Sequence, residues 1–331
     1  MKKDSKSVSL ILGTMTFGES VFSPDVENFI KTFMDAGYSI LDTAYVYNEG
    51  NCERLLGEVL PKMDRNSFKI DTKVNPRISG KLDGEAAEMQ LNESLERLHM
   101  DYVDTFYLHF PDPATPVESV LQACDHLYGQ GKFKELGLSN FPAWMVADVY
   151  HICDKKGWVK PTVFEGIYNP LTRKAEIELN DCLNSLGLRF HAFNPMAGGL
   201  LTGRYGKYED APSDGRFTHR PNYKNRYWKK SFFDAVELIK NTAEKNGMTC
   251  IEAVYRWLAY HSMLDAERGD AIIIGASKLD HLVQNMKSIQ AGPLPEELVS
   301  VFEKAWQITK GDSPEYFTLY KGKGSVGGEQ K

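Results

Sequence analysis

The chain of 331 residues carries 39 Lys and Arg against 45 Asp and Glu, a net charge of -6, with 42% hydrophobic and 25% charged residues. These proportions exclude a disordered chain, and the scattered basic residues lack the footprint of a nucleic-acid binder. No apolar run approaches the roughly 18 residues of a membrane span, and the start MKKDSKSVSL is too polar for a signal peptide. A cytoplasmic protein with no membrane partner is expected. Cys52, Cys124, Cys153, Cys182 and Cys250 lie far apart and form no C-x-x-C, so reduced thiols are expected, with neither disulfides nor a metal site.

Eight short β-rich runs follow one another: SLILG (9–13), SILD (39–42), FKIDTK (68–73), YVDTFYLH (102–109), FKELGLS (133–139), TVFEGIY (162–168), LRFHAFN (188–194) and AIIIG (271–275). Several are almost continuously apolar, as parallel strands covered on both faces are. Between them, PDVENFIKTFMDAG repeats Phe29, Ile30, Phe33 and Met34 at helical spacing and closes on Gly37, which suits a C-cap. The same reading predicts helices over GEAAEMQLNESLERL, PVESVLQACDHLYGQG, AWMVADVYHICDKKG and RKAEIELNDCLNSLG.

The first seven strands start roughly 30 residues apart, the length of a strand with its crossover helix. Length alone permits two domains, but eight such units make a single α/β domain, a (β/α)8 barrel. The rhythm breaks after strand seven, where a long loop (195–230) and two helical patterns, SFFDAVELIKNTAEKNG and TCIEAVYRWLAYHSM, precede strand eight. Loops of that length usually carry function. One more helix, PEELVSVFEKAWQIT, follows the barrel, and residues 321–331 read as a disordered tail. An open doubly wound sheet is disfavoured because no G-x-G-x-x-G follows an early strand.

Active sites of such barrels lie at the carboxyl ends of the strands. There stand Asp42, with Tyr45 and Tyr47 beyond it, then Lys73, His109, Ser139 with Asn140, Glu165 and Tyr168, Asn194, and Gly275 with Ser277. Singly, each has an ordinary reading: Asp42 as a turn residue, Lys73 as a strand-end charge, His109 as a structural histidine. Together they have a chemical meaning, because a phenol near pKa 10 exchanges its proton poorly at neutral pH until a neighbouring cation assists. Lys73 can supply the cation, Asp42 can orient it, and His109 can donate to a substrate oxygen that gains charge. None of the four can carry a hydride, so a nicotinamide cofactor is expected.

The phrases ILDTAYVYNEGNCERLLG, DTK, DYVDTFYLHFPDPATPVES, GKFKELGLSNF, FNPMAGGLLTGRY and IIIGASKLDHLVQN, in this order, resemble the aldo-keto reductase superfamily over nearly the whole chain. VFEGIYNPLTR, YKNRYWKK and DSPEYF make the chain most similar to the aflatoxin-aldehyde reductase branch, whose members reduce reactive aldehydes, dicarbonyls and succinic semialdehyde. The resemblance implies an NADPH-dependent reductase with Asp42, Tyr47, Lys73 and His109 as its catalytic tetrad and Tyr47 as general acid. It places Ser139, Asn140 and Glu165 at the nicotinamide carboxamide and Phe193 against the ring. Residues 194–204, including Asn194, Pro195, Gly198, Gly199, Leu201, Gly203 and Arg204, would wrap the pyrophosphate. Gly275, Ser277 and Lys278 would meet the ribose phosphate, with Gln284 and Asn285 near the adenine and Arg216 as a further phosphate ligand.

Two departures stand out. Glu165 replaces the Gln common in the family, adding negative charge near the ring and favouring oxidised cofactor, and Phe193 replaces a Tyr. A substrate pocket is expected from Met15, Tyr47, Phe110, Tyr223, Arg226, Tyr227 and Trp228, in which the Arg226 guanidinium matches a substrate carboxylate. Tyr223 and Trp228 could equally anchor the long loop. The expected partner is a small aldehyde, in an ordered mechanism with the long loop closing over bound cofactor; the branch often forms dimers, so a homodimer is also expected. The alternatives are an aryl-alcohol or sugar-alcohol dehydrogenase working oxidatively, or a cofactor-sensing subunit with slow turnover.

Overall fold

A computed structural model describes residues 8–210 and 215–322; most of the tail expected to be disordered lies outside them. Eight parallel strands close into a barrel in chain order: β1 Ser9–Gly13, β2 Ile40–Asp42, β3 Lys69–Val74, β4 Val103–Leu108, β5 Phe133–Ser139, β6 Pro161–Ile167, β7 Arg189–Phe193 and β8 Ala271–Ile274. Closure is made by β1 against β8, with Ser9 opposite Ala271 and Leu12 opposite Ile274.

The expected crossover helices form. Asp25–Asp35 buries Val26, Phe29, Ile30 and Phe33 against the barrel, and Gly37 ends that turn in the left-handed region at φ 90°. Gly84–Leu98, Val117–Gly129 and Ala143–Lys156 follow the predicted runs closely. The run 173–187 does not fold as one helix: it divides into a turn, Lys174–Glu176, and a shorter helix, Leu179–Leu186. Arg173 is the physical reason. Its guanidinium bonds Glu176 at 2.8 and 2.9 Å and Glu303 at 2.7 Å, fixing the turn against the helix Glu296–Thr309 before the next helix begins.

Apolar packing fills the space between strands and helices, but the barrel interior is largely polar. Among the described residues, Ile11, Ala271 and Ile273 form a separate small apolar cluster within it, with Ile40 and Phe193 beside them. Interior contacts are recognised because they join strands that are not neighbours. Tyr107 on β4 reaches His191 on β7 (Oη to Nδ1, 3.1 Å), and Lys73 on β3 reaches Glu165 on β6. Gly137 makes room for the first of these, since a Cβ there would lie 2.3 Å from the Tyr107 ring.

Between β7 and β8 the long loop holds short helical turns, Ala197–Thr202, Arg216–His219 and Pro221–Tyr227, before the helices Lys230–Lys245 and Cys250–Tyr260. After the helix Glu296–Thr309 the chain returns across the carboxyl ends of the strands. Thr318 N–H donates to Asn140 O (3.1 Å), and Tyr320 N–H to Pro111 O (2.9 Å). Among the described residues, no helix is long and apolar enough to cross a membrane.

Candidate active site

A cleft of about 1110 Å³, counting its open mouth, lies at the carboxyl ends of the strands and is lined in part by Asp42, Tyr47, His109, Asn140, Glu165 and Phe193. Lys73 does not line it but bonds residues that do. Its ammonium is fully buried, donates to Asp42 Oδ1 and to Thr43 O (2.8 Å), and lies 3.2 Å from Glu165 Oε2. Burial opposes this charge, but Asp42 and Glu165 outweigh it and Lys73 is held above its ordinary pKa.

Tyr47 comes from the loop after β2, where Asn48 and Glu49 are held at φ 48° and 57°. That backbone is costly for residues with a Cβ and needs an anchor. Asn48 provides it by donating to Met15 O (3.0 Å) and Phe17 O (2.7 Å). The Tyr47 ring then stands edge-on to His109 at 6.1 Å, with Lys73 Nζ 5.5 Å from its centroid. Tyr45 does something else: its hydroxyl donates to Glu93 (2.5 Å) with Arg97 over its ring, a packing contact.

His109 is held in one tautomer by a residue that the sequence does not flag. Asn75 Oδ1 accepts the Arg77 backbone N–H (3.0 Å), so its amide nitrogen is the group 3.2 Å from His109 Nδ1. Nδ1 is therefore the acceptor and Nε2 carries the proton. Burial, then the charges of Lys73 and Arg77, push the imidazole well below its usual pKa, so it is neutral and donates through Nε2.

Asn140, in the left-handed region at φ 63°, commits its amide nitrogen to His109 O and Ser139 Oγ, both at 2.9 Å. Its amide oxygen remains to accept from a ligand. Glu165 is buried with Oε2 lacking a hydrogen-bond partner. Burial, with Asp42 beside it, pushes its carboxyl well above the carboxylate range and so opposes the negative charge expected there.

Along the far wall, Asn194, Pro195, Gly198 and Gly199 line the cleft with Arg216, Tyr223 and Arg226, and Met15, Phe110 and Gly275 line it too, whereas Ser139, expected at the carboxamide, is fully buried and off the cleft wall, its hydroxyl accepting from Asn140. Other expected members stand elsewhere. The turn Ala197–Thr202 carries the chain away from the cleft, so Leu201 is buried in the core, Gly203 packs near Lys240, and Arg204 bonds Tyr205 at the surface. Ser277 and Lys278 are exposed beyond Gly275, Gln284 belongs to a shallow groove with Thr249 and Lys287, and Asn285 is buried. Neither Tyr227 nor Trp228 lines the cleft. The turn Pro221–Tyr227 presents Asn222, Tyr223 and Arg226 to it, whereas Trp228 donates to Tyr208 O (3.0 Å) and packs on Tyr205, Phe217 and Phe233, anchoring the loop. Arg77, Asn222 and Thr318 also line the cleft without having been expected. Arg77 has a sequence signal, a cation four residues beyond the tetrad Lys73, and its guanidinium stacks 4.2 Å from the Phe110 ring.

A buried lysine joined to a carboxylate, a tyrosine and a neutral histidine donor can deliver a proton to a carbonyl oxygen or remove one from an alcohol. The aldo/keto reductase family model matches residues 9–307, almost all of the described chain. This chain belongs to the aldo/keto reductase family. Among its relatives, human aldo-keto reductase family 7 member A3 is 42% identical over 319 residues, covering 93% of this chain and 96% of that protein. Aflatoxin B1 aldehyde reductase member 2 is 41% identical in both human and rat, covering 94% and 93% of this chain and 89% and 87% of those proteins. The chain is therefore an oxidoreductase acting on carbonyl or alcohol groups, in a family that uses nicotinamide cofactors.

Proposed function

We propose that this aldo/keto reductase reduces aldehydes to alcohols with NADPH, Tyr47 giving the proton. The observation that carries this reading is the convergence of Asp42, Tyr47, Lys73 and His109 from three consecutive strand ends on one cleft. The pocket suits a nicotinamide cofactor: Glu165 has an orphaned polar atom, Asn140 keeps a spare acceptor, and a Cβ on Gly199, held at φ 103°, would meet nothing within 4 Å. Bound NADPH supplies the hydride.

The protein's own groups do the rest. His109 Nε2–H and the Tyr47 hydroxyl both donate to the carbonyl oxygen, polarising it. As the oxygen becomes an alkoxide it takes the Tyr47 proton, and the phenolate left behind is stabilised by Lys73. Asp42 keeps the ammonium charged and oriented. The preference for NADPH rests on Lys278 and Ser277, which stand exposed at the start of the helix Leu279–Gln290, where a helix N-terminus and a cation suit a phosphate. Arg226, in the cleft, favours aldehydes with a remote carboxylate, and the turns Ala197–Thr202 and Pro221–Tyr227 of the loop after β7 cover cofactor bound before substrate.

Tyr47→Phe tests the proposal: NADPH binding, followed by quenching of protein fluorescence, is retained while aldehyde reduction is nearly abolished. Retained turnover would remove Tyr47 as the proton donor.

A further inference from the structure

The barrel interior holds more acid than its single ammonium can balance. Asp42, Asp71 and Glu165 are 3%, 2% and 3% exposed, and Lys73 is the cation among them. Around Glu165 on β6, the ionisable groups of the neighbouring elements are Asp42 from β2, Asp71 and Lys73 from β3, Tyr107 and His109 from β4, and His191 from β7. Tyr47 stands above, and Ser139 on β5 pairs in register with Glu165. Tyr107 is pushed upward and His191 down to about 3, both chiefly by burial, so both are neutral. Asp71 does not line the cleft and is pushed up to about 8, by burial first and then by Asp42. Asp42 accepts the Lys73 hydrogen bond and takes the one negative charge that the ammonium balances.

Glu165, 3.2 Å from the same ammonium, must share its single positive charge with Asp42. It lines the cleft, and its Oε2 lies near Lys73 without a hydrogen bond. A second negative charge in so dry a site is costly, so the proton stays on Glu165. The balance changes when a cation enters. An oxidised nicotinamide ring carries one positive charge more than a reduced ring, and the cleft is where either must lie to face Tyr47.

Resting on the nicotinamide reading above, we propose that Glu165 holds a proton in the empty and NADPH-bound protein and releases it when NADP+ binds. One Glu165 O–H bond breaks, the proton passes to the buffer, and no electrons move. Glu165 thereby links the choice between the two cofactor forms to pH. NADP+ binding tightens by up to about tenfold per pH unit while one proton is released, and NADPH binding does not follow it.

Isothermal titration calorimetry in two buffers of different ionisation enthalpy counts the protons. NADPH is the internal control, because it carries the same 2'-phosphate. At pH 7.5, NADP+ should release about half to one proton more than NADPH from the wild-type protein. The excess should vanish in Glu165→Gln and persist in Tyr47→Phe. Equal proton counts for the two cofactors in wild type would overturn the proposal without any variant. So would an excess that survives in Glu165→Gln, or one lost in Tyr47→Phe instead. If neither cofactor bound, the nicotinamide reading itself would fall; that result is distinct from binding with equal proton counts.

Discussion

Replacing Lys73 with Met removes the cation while keeping much of the side chain's bulk. The Nζ atom lies 5.5 Å from the Tyr47 ring centroid. At an effective dielectric near 20, a unit charge at that distance stabilises a developing phenolate by about 3 kcal/mol. Asp42 carries the opposite charge on the same ammonium and cancels part of this, so about 1.5 to 3 kcal/mol should be lost from the transition state, a fall in kcat of roughly 10- to 150-fold. Cofactor affinity should change little, because Lys73 does not line the cleft. Steady-state reduction of an aldehyde gives kcat, and calorimetry gives the cofactor Kd. The loss should also depend on pH. In the oxidative direction the variant recovers as pH rises, because hydroxide then supplies the phenolate that Lys73 no longer favours. A variant that loses less than threefold, or loses the same factor at every pH, would refute the electrostatic role of Lys73.

Arg226→Met should raise KM for a carboxylate-bearing aldehyde such as succinic semialdehyde by tenfold or more while leaving 4-nitrobenzaldehyde nearly unchanged; equal losses on both would show that Arg226 shapes the cleft rather than selecting charge. Asp71 is held protonated in the fold, pushed up to about 8 by burial and then by Asp42. Its folded pKa lies above its unfolded value, so its contribution to stability is complete below pH 4 and is lost as pH rises towards 8. Asp71→Asn should therefore match wild type near pH 4 and exceed it at pH 8 by more than about 1 kcal/mol in urea unfolding, whereas parallel pH curves would contradict the assignment.

The strands were legible because a parallel strand covered on both faces leaves an apolar run, and the order of those runs sets barrel closure. The four tetrad side chains were legible for a related reason: each sits within a few residues of a strand's carboxyl end, where the fold gathers polar groups. What could not be read was the inside of the barrel. Asp71, Lys73, Tyr107 and His191 alternate with core-facing neighbours, and nothing local says which alternate set faces inward to meet the others. Asn75 was invisible because its role is a contact with His109, 34 residues away. Trp228 was undecided because an aromatic beside Arg226 suits a pocket wall and a loop anchor equally well; the turn Pro221–Tyr227 decides which way each points.

The strap that brings Thr318 over Asn140 and Tyr320 over Pro111 has a consequence for the timing of synthesis. A growing chain possesses all four tetrad side chains once His109 has been added. The barrel cannot close until β8, and the cleft wall lacks Thr318 until later still. The four groups therefore share an enclosed cleft only after Thr318 has been added. Prematurely terminated fragments carry the reactive groups without the enclosure that makes them work together.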